Sequence, residues 1–361
     1  MKYMFRKYWM LLLAGLPGPL YSCGQNAVPL DEFIKAKTDS VFSSNRLPGI
    51  FVGYGNKGKN NYYTAGYARP EEKVPFDVNT FFEIGSITKT FTAYTLLCVL
   101  RDHKIYDSTK IISYLPKEVQ ANKHLDRIRF INLINHTAGL PRLPDNMELS
   151  AGDMQPYQTY DSKKLFEYLS TAQPKDPGSY AYSNLAAGLA GVLAERISGK
   201  TYAALLDQYI FLPFNMVDKN NTLEKSVNRS QGYFADTIKS AYWNMNVLAP
   251  AGALKCTGKE MLRYLACMSN PVNASSKAII DSLTQTTLQL SPATGVGRGW
   301  HISNKKDRAV IYWHNGGTYG FSTFGAFIKG TGQYIIIAIN KFNSNGVADK
   351  LGLAILNKML E

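Results

Sequence analysis

Ser86 and Lys89 stand three residues apart in the stretch Phe82 to Lys89, which reads FEIGSITK. On a helix, residues with this spacing lie on one face, one turn apart, so their side chains can meet. A serine hydroxyl becomes a good nucleophile when a neighbour takes its proton, and a partly desolvated lysine amine can do so. If the helix begins at Ser86, its N-terminal dipole also favours the developing negative charge. The pair therefore indicates nucleophilic catalysis by a serine.

The S-x-x-K spacing is not specific, because a second copy occurs at Ser303 to Lys306. That copy lies in a polar Asn-Lys-Lys-Asp run, which is typical of an exposed turn. Taken alone, Ser86 and Lys89 would more often be a helix cap and a surface lysine. Other groups of residues have to decide between the two interpretations.

Tyr182 and Asn184 form a second candidate group, on an extended turn after a Pro-Gly pair. Residues two apart on extended chain project to the same side. A phenol can shuttle protons, and a nearby ammonium is expected to favour its phenolate form. Asn184 could donate to a substrate carbonyl and accept from Lys89, or simply cap a helix. The same Y-x-N spacing also occurs at Tyr54 to Asn56 and at Tyr242 to Asn244.

A third group, His314 to Gly317, reads HNGG and follows a predicted strand. Tandem glycines let the backbone approach a ligand more closely than a side chain would allow. The N–H groups of Gly317 and Ser86 are candidates for an oxyanion hole, the donor pair that stabilises a tetrahedral intermediate. His314 would present a donor, or a positive charge at lower pH, to a substrate carboxylate.

Periodicity predicts the elements that position these groups. Helices are predicted at Leu30–Ser44, Ser86–Arg101, Phe130–His136, Ser162–Ser170, Asn184–Ser198, Tyr202–Ile210, Gly258–Met268 and Ala348–Leu360. Strands are predicted at Gly49–Tyr54 and Asn61–Tyr67, which would form a hairpin, and at Val310–Trp313, Ser322–Ile328 and Tyr334–Ile339. Strands at both ends of a helical middle predict an α/β lobe made of residues 24–80 and 246–361, with a mainly helical lobe, 81–245, inserted.

Composition describes an ordinary globular protein, with 45% hydrophobic and 19% charged residues. The formal charge of +13 comes from scattered basic residues. Without a basic stripe interleaved with aromatics, a nucleic-acid partner is not expected. None of the five histidines forms a ligand pair such as H-E-x-x-H, so no metal site is predicted.

Residues 1–23 are predicted to be an export signal. Lys2, Arg6 and Lys7 precede a short apolar run from Trp9 to Leu16, which is too short to span a bilayer. The following residues, Leu-Tyr-Ser-Cys, look like a bacterial lipobox ending at Cys23, whose cysteine would be lipidated. The chain is therefore expected in the cell envelope or periplasm, attached to a membrane through Cys23. Of the other cysteines, Cys98 and Cys267 sit among apolar residues and are predicted to be core side chains rather than part of a disulfide framework.

The order S-x-x-K, Y-S-N after Pro-Gly, and H-x-G after a strand resembles the serine β-lactamase and penicillin-binding superfamily, in its class C β-lactamase and D-Ala-D-Ala carboxypeptidase branch. Three further segments, 133–141 (LINHTAGLP), 210–216 (IFLPFNM) and 250–254 (PAGAL), are similar to family motifs. The resemblance runs from about Leu30 to the C-terminus. It implies a β-lactamase/transpeptidase-like fold, an antiparallel sheet flanked by helices with an inserted helical lobe.

The resemblance also implies roles. Ser86 would be the acylated nucleophile, Lys89 would assist its activation, and Tyr182 would be the general base and later the acid for the leaving amine. Substrate would be positioned by the residues Asn184, His314, Asn315 and Gly316, and the oxyanion hole would be the N–H groups of Ser86 and Gly317. The implied reaction is acyl transfer to water without a metal or cofactor, on a small-molecule or peptidoglycan-like peptide substrate.

One departure from the family pattern, at His314, bears on which substrate the enzyme would accept. Dedicated class C β-lactamases have lysine where this chain has His314, and histidine there is more typical of the carboxypeptidase, D-aminopeptidase and esterase relatives. A mostly neutral histidine would hold a β-lactam carboxylate less firmly than lysine. The sequence thus favours a carboxypeptidase-like hydrolase or a weak β-lactamase. An esterase for small esters, a D-aminopeptidase, and an envelope protein that binds penicillin without turnover remain alternatives.

Overall fold

The computed structural model describes residues 28–150, 152–216 and 228–361 of the chain. The predicted export segment, residues 1–23 with Cys23, lies outside the described residues. Among the described helices, none combines the length and the apolar character needed to cross a membrane.

The described part of the chain is built around a nine-stranded antiparallel sheet. The strands are β1 Gly49–Asn56, β2 Lys59–Arg69, β3 Val74–Pro75, β4 Phe81–Glu83, β5 Gly232–Ala235, β6 Ile238–Ser240, β7 Lys255–Thr257, β8 Leu288–Ser291, β9 Thr294–Val296, β10 His301–Ser303, β11 Ile311–Gly317, β12 Ser322–Ile328 and β13 Gln333–Ile339. The order in the sheet is β3-β2-β1-β13-β12-β11-β10-β9-β8, and two short strand pairs, β4 with β7 and β5 with β6, lie outside it.

Helices cover both faces of this sheet. They are α1 Leu30–Ser44, α2 Thr88–Asp102, α3 Lys117–Gln120, α4 Phe130–Ile134, α5 Ser162–Thr171, α6 Asn184–Ser198, α7 Tyr202–Leu206, α8 Gly258–Ser269, α9 Ala274–Thr284 and α10 Asn345–Met359. Helices α1 and α10 pack on one face, whereas α8 packs on the other, together with a larger core that includes α2 and α6.

The central strand β13 shows why two apolar layers form. Its alternate residues Ile335 and Ile337 belong to the core under α1 and α10, while Ile336 and Ala338 belong to the larger core under α8. Successive side chains of a strand point to opposite faces, so a run of apolar residues is buried on both sides.

The sequence predicted the long elements correctly. The hairpin of β1 and β2 is present, and β12 and α6 have the predicted bounds. The short strands β8, β9 and β10 and the helix α9 were not predicted. Because strands of three or four residues show too few alternations to make a pattern, only their pairing next to β11 identifies them. The division into an α/β lobe and a helical lobe stays a prediction.

Two boundaries near the candidate site differ from the predictions. The α-helix does not begin at Ser86: residues Gly85–Ile87 form a 3₁₀ turn, and α2 begins at Thr88. The strand predicted to end at Trp313 continues to Gly317, because its pairing with β12 runs on to the Gly317–Ser322 pair.

Two glycines of α10 give a matched test of its packing against the sheet. A Cβ on Gly352 would lie 2.3 Å from Cδ1 of Phe324 in β12, whereas a Cβ on Gly346 would meet no atom within 4 Å. We expect Gly352→Ala to lower the free energy of unfolding by about 1–3 kcal/mol through overpacking. Gly346→Ala should raise it by about 0.4–1 kcal/mol by restricting the unfolded chain.

Urea denaturation of both variants measures these changes. Equal effects of the two substitutions would contradict the close packing of α10 on β12.

Candidate active site

Ser86 lies in the 3₁₀ turn that joins β4 to α2. Gly85, just before it, has a φ of +51°, a left-handed conformation that side chains other than glycine rarely adopt. The residues of α2 from Thr88 to Leu100 are all buried. The sharp turn and the buried helix together hold the serine at a defined position.

The Lys89 amine contacts the Ser86 hydroxyl, as the spacing predicted. Its Nζ lies 3.0 Å from Oγ of Ser86 and donates to the carbonyl oxygen of Ala251 at 2.6 Å. Ala251 belongs to the 250–254 segment that resembled a family motif. Burial, and secondly the positive charge of Arg142, hold the pKa of Lys89 well below its usual value. The neutral amine is therefore favoured, and a neutral amine can accept the proton of the serine.

The ring of Tyr182 lies beside this pair and packs against Lys89 and His136. Lys89 Nζ lies 4.9 Å from the centre of the Tyr182 ring, and the ring of His136 lies 4.3 Å from it. Burial raises the pKa of Tyr182, although interactions with Ser86 and Arg142 oppose this rise. The expectation that an ammonium would favour the phenolate is wrong, because burial outweighs the nearby charges. Tyr182 is a neutral phenol at rest, suited to give a proton first.

Asn184 is the first residue of α6, where Ser183 caps the helix by accepting from the N–H of Ala186. The expected hydrogen bond from Lys89 to Asn184 is not formed, since Lys89 donates to Ser86 and Ala251 instead. Oδ1 of Asn184 is buried and has no hydrogen-bond partner among the described residues. Buried polar atoms are nearly always satisfied, so this oxygen is available to a ligand or water.

His314 is only 2% exposed. Its Nδ1 lies 2.6 Å from the carbonyl oxygen of Asn315, which can only accept, so Nδ1 carries the proton. Nε2 is then an acceptor, and it has no partner within the described ranges. Burial, and then the charges of His301 and Lys89, keep the pKa of His314 well below its usual value. The predicted positive charge at this position is therefore not supported.

The side chain of Asn315 does not face the candidate site. It donates to Oδ2 of Asp349 in α10 at 2.9 Å, on the opposite side of the sheet from His314. The prediction that Asn315 lines the substrate edge is wrong for its side chain, because the longer β11 places alternate residues on opposite faces.

Gly316 and Gly317 pack against the backbone before Ser86. A Cβ on Gly316 would lie 1.9 Å from the carbonyl oxygen of Ile84, and one on Gly85 would lie 2.6 Å from the N of Gly317. The carbonyl of Gly316 accepts from Nδ2 of Asn345 at 2.6 Å. Gly316 is therefore buried and packed against the backbone of Ile84, whereas Gly317 is exposed. The contact places the main chain of Gly85, next to Ser86, against that of Gly317, and the oxyanion hole itself stays a prediction.

Sequence reasoning missed a buried carboxyl group that joins the same two segments. Glu83 is 1% exposed and accepts from Oγ1 of Thr318 at 2.6 Å and from the N–H of Trp243 at 2.5 Å. Burial raises the pKa of Glu83. Glu83 precedes Ser86 by three residues and Thr318 follows Gly317. A carboxylate in an apolar strand was the signal that could have identified it.

The other copies of the short motifs are structural. Residues Asn304 to Lys306 of the second S-x-x-K are exposed. Tyr54 donates to Oδ1 of Asp31 at 2.6 Å in the core under α1, and Tyr242 donates to the backbone carbonyls of Phe81 and Ser230. Only the copies at Ser86 and Tyr182 meet in one place.

A family model described as Beta-lactamase matches residues 30–359. The chain belongs to the beta-lactamase family. It is therefore a serine hydrolase, as the sequence predicted. Each side chain placed around Ser86 above lies within the residues that the family model covers.

Relatives in this family are similar over nearly the whole chain. A protein named Beta-lactamase from Pseudomonas fluorescens is 24% identical and covers 92% of this chain and 99% of its own length. A protein named D-alanyl-D-alanine-carboxypeptidase/endopeptidase AmpH from Escherichia coli is 25% identical over 88% of each chain.

Solved structures confirm the predicted fold. The beta-lactamase/D-alanine carboxypeptidase from Pseudomonas syringae superposes with a TM-score of 0.78 at 21% identity, covering 91% of this chain and 98% of its own. A class C beta-lactamase from Rhodobacter sphaeroides superposes with a TM-score of 0.77 at 20% identity, covering 91% and 99%.

Proposed function

We propose that this chain forms an acyl-enzyme on Ser86 and hydrolyses amide bonds of small peptides, in the manner of a D-Ala-D-Ala carboxypeptidase. The observation that carries the proposal is the buried Lys89 amine, 3.0 Å from Oγ of Ser86 and with a lowered pKa. An amine in this state can accept the proton of Ser86 as the oxygen attacks a carbonyl carbon.

The remaining groups complete the reaction. The oxyanion that forms would be held by the N–H groups of Ser86 and Gly317. The C–N bond then breaks, and the neutral Tyr182 phenol gives its proton to the leaving amine while Lys89 returns the proton of Ser86 to the phenolate. Water repeats the attack on the ester carbonyl, Ser86 leaves with a proton, and the free acid is released.

His314 supports a peptidase over an efficient β-lactamase. It is buried and neutral, so it supplies no ammonium to hold the carboxylate of a β-lactam. The relative from Escherichia coli named as a carboxypeptidase and endopeptidase is consistent with this choice. A β-lactam remains a substrate to test, since it also has an amide bond that Ser86 could open.

Ser86 has a matched control in this chain, because Ser303 begins the second S-x-x-K spacing. We expect intact-mass measurement after mixing with a penicillin to show one adduct on the wild type and on Ser303→Ala, and none on Ser86→Ala. Hydrolysis of a peptide ending in D-Ala-D-Ala should disappear in Ser86→Ala alone, because only that variant lacks the nucleophile.

The lifetime of the adduct distinguishes the alternatives. A persistent adduct supports a carboxypeptidase-like site, whereas rapid loss with consumption of the drug indicates a β-lactamase. Turnover of p-nitrophenyl acetate without any adduct or peptide cleavage would indicate an esterase. Activity retained in Ser86→Ala would refute the proposed function.

Replacement of Tyr182 by phenylalanine tests the proton transfer to the leaving group. The ring packing on His136 is kept and only the hydroxyl is lost, so we expect acylation by the peptide to slow by about 10²- to 10⁴-fold. Tyr180→Phe is the control, because the Tyr180 ring also contacts His136, at 6.0 Å. An unchanged rate in Tyr182→Phe would assign both proton transfers to Lys89.

We also propose that residues 1–23 direct export and that Cys23 is lipidated, which would place the enzyme at the cell envelope with its peptide substrates. The basic residues, the short apolar run and the Leu-Tyr-Ser-Cys stretch support this. We expect Cys23→Ala to move the protein from the membrane fraction to the soluble fraction of cells. Unchanged membrane association of the variant would contradict lipid attachment.

A further inference from the structure

Arg142 places a permanent positive charge beside Tyr182. Burial lowers the pKa of the other basic groups there, to about 4 for His301 and well below the usual values for Lys89, His136 and His314. A guanidinium stays protonated in proteins. Arg142 is also exposed, so a substrate can reach it.

The backbone of Arg142 is fixed to the segment that holds Tyr182 and Asn184. Its carbonyl oxygen accepts from the N–H of Asn184 at 3.0 Å and from that of Leu185 at 3.3 Å, at the start of α6. The preceding carbonyl, of Pro141, accepts from Oγ of Ser183 at 2.6 Å. Arg142 thus keeps its place relative to Tyr182.

The side chain of Arg142 lies across the ring of Tyr182, with Cζ 5.2 Å from the ring centre. In the described part of the chain the guanidinium makes no hydrogen bond or ion pair and has this ring as its contact. Its N–H donors are free, and their planar arrangement fits a carboxylate through two parallel hydrogen bonds.

We propose that Arg142 is the specificity-determining residue that binds a carboxylate on the leaving-group side of the substrate. The inference rests on the proposed function, in which Tyr182 protonates the leaving group. A cation lying over the ring of Tyr182 is close to that group. Arg142 thereby supplies the fixed charge that His314, buried and neutral, does not.

Two thioesters with the same benzoylglycyl acyl group test this proposal. One releases mercaptoacetate, which bears a carboxylate, and the other releases mercaptoacetamide, which is neutral. We expect Arg142→Gln to lower kcat/KM for the charged thioester about tenfold more than for the neutral one, mainly through KM. The full chain is used, and thiol release is measured.

Three further measurements separate recognition from structural damage. Arg142→Lys keeps the charge and should recover part of the preference for the charged thioester. The wild-type preference should fall as salt screens the exposed guanidinium, while Arg142→Gln should respond little. Arg127→Gln is the matched control, because Arg127 is an exposed arginine that no described contact links to the site, and it should keep the wild-type preference.

Equal losses of kcat/KM for both thioesters in Arg142→Gln would overturn the proposal. A shift of the acid limb of the pH profile without a change in the preference between the two thioesters would also overturn it. That limb should move to higher pH in any case, because removing the cation raises the pKa of Lys89. The variant Ser86→Ala shows whether the proposed function itself fails. If this variant still hydrolyses both thioesters, the proposed function itself is wrong.

Discussion

The candidate site depends on two stretches of main chain that pack together without side chains between them. Gly85 and Gly316 lie at this contact, and a Cβ on either would approach the opposite backbone to within 2.6 Å or less. The contact fixes the main chain just before Ser86 relative to Gly316 and Gly317. The hydrogen bond from Thr318 to Glu83 joins the two stretches, and Asn345 of α10 donates to the carbonyl of Gly316. An oxyanion hole built from backbone groups needs this rigidity, because its donors must already point at the charge when the charge appears.

Burial sets the charge state of the site. The amine of Lys89 and the rings of His136, His301 and His314 are all desolvated, and desolvation disfavours the charged form of a base. The same burial keeps Tyr182 protonated. Burial thus favours the neutral amine of Lys89 and the neutral phenol of Tyr182. It also means that attraction of an anionic substrate has to come from a group in contact with solvent.

Relatives at 24–25% identity align with most of this chain, yet one is named a beta-lactamase and the other a carboxypeptidase/endopeptidase. A fold supports many substrates, so the choice between them rests on individual side chains around the common nucleophile. In this chain the informative positions are His314, which is neutral, and Arg142, which is charged. Both lie beside Tyr182, where the leaving group would depart.

The sequence by itself determined the long elements and the pair Ser86 and Lys89, because helical spacing and strand alternation are local properties of the chain. The family was indicated by the resemblance of its ordered motifs to those of known members. The order of its motifs also predicted Tyr182, Asn184 and His314 as further site residues, and the structure places the rings of Tyr182 and His314 6.3 Å apart. The tertiary structure alone decided the charge states, since burial depends on residues distant in sequence. It also decided that Asn315 faces α10, because pairing with β12 extends β11 by several residues. Arg142 follows directly after the LINHTAGLP segment, and its place over Tyr182 became visible only when α6 brought the two segments together.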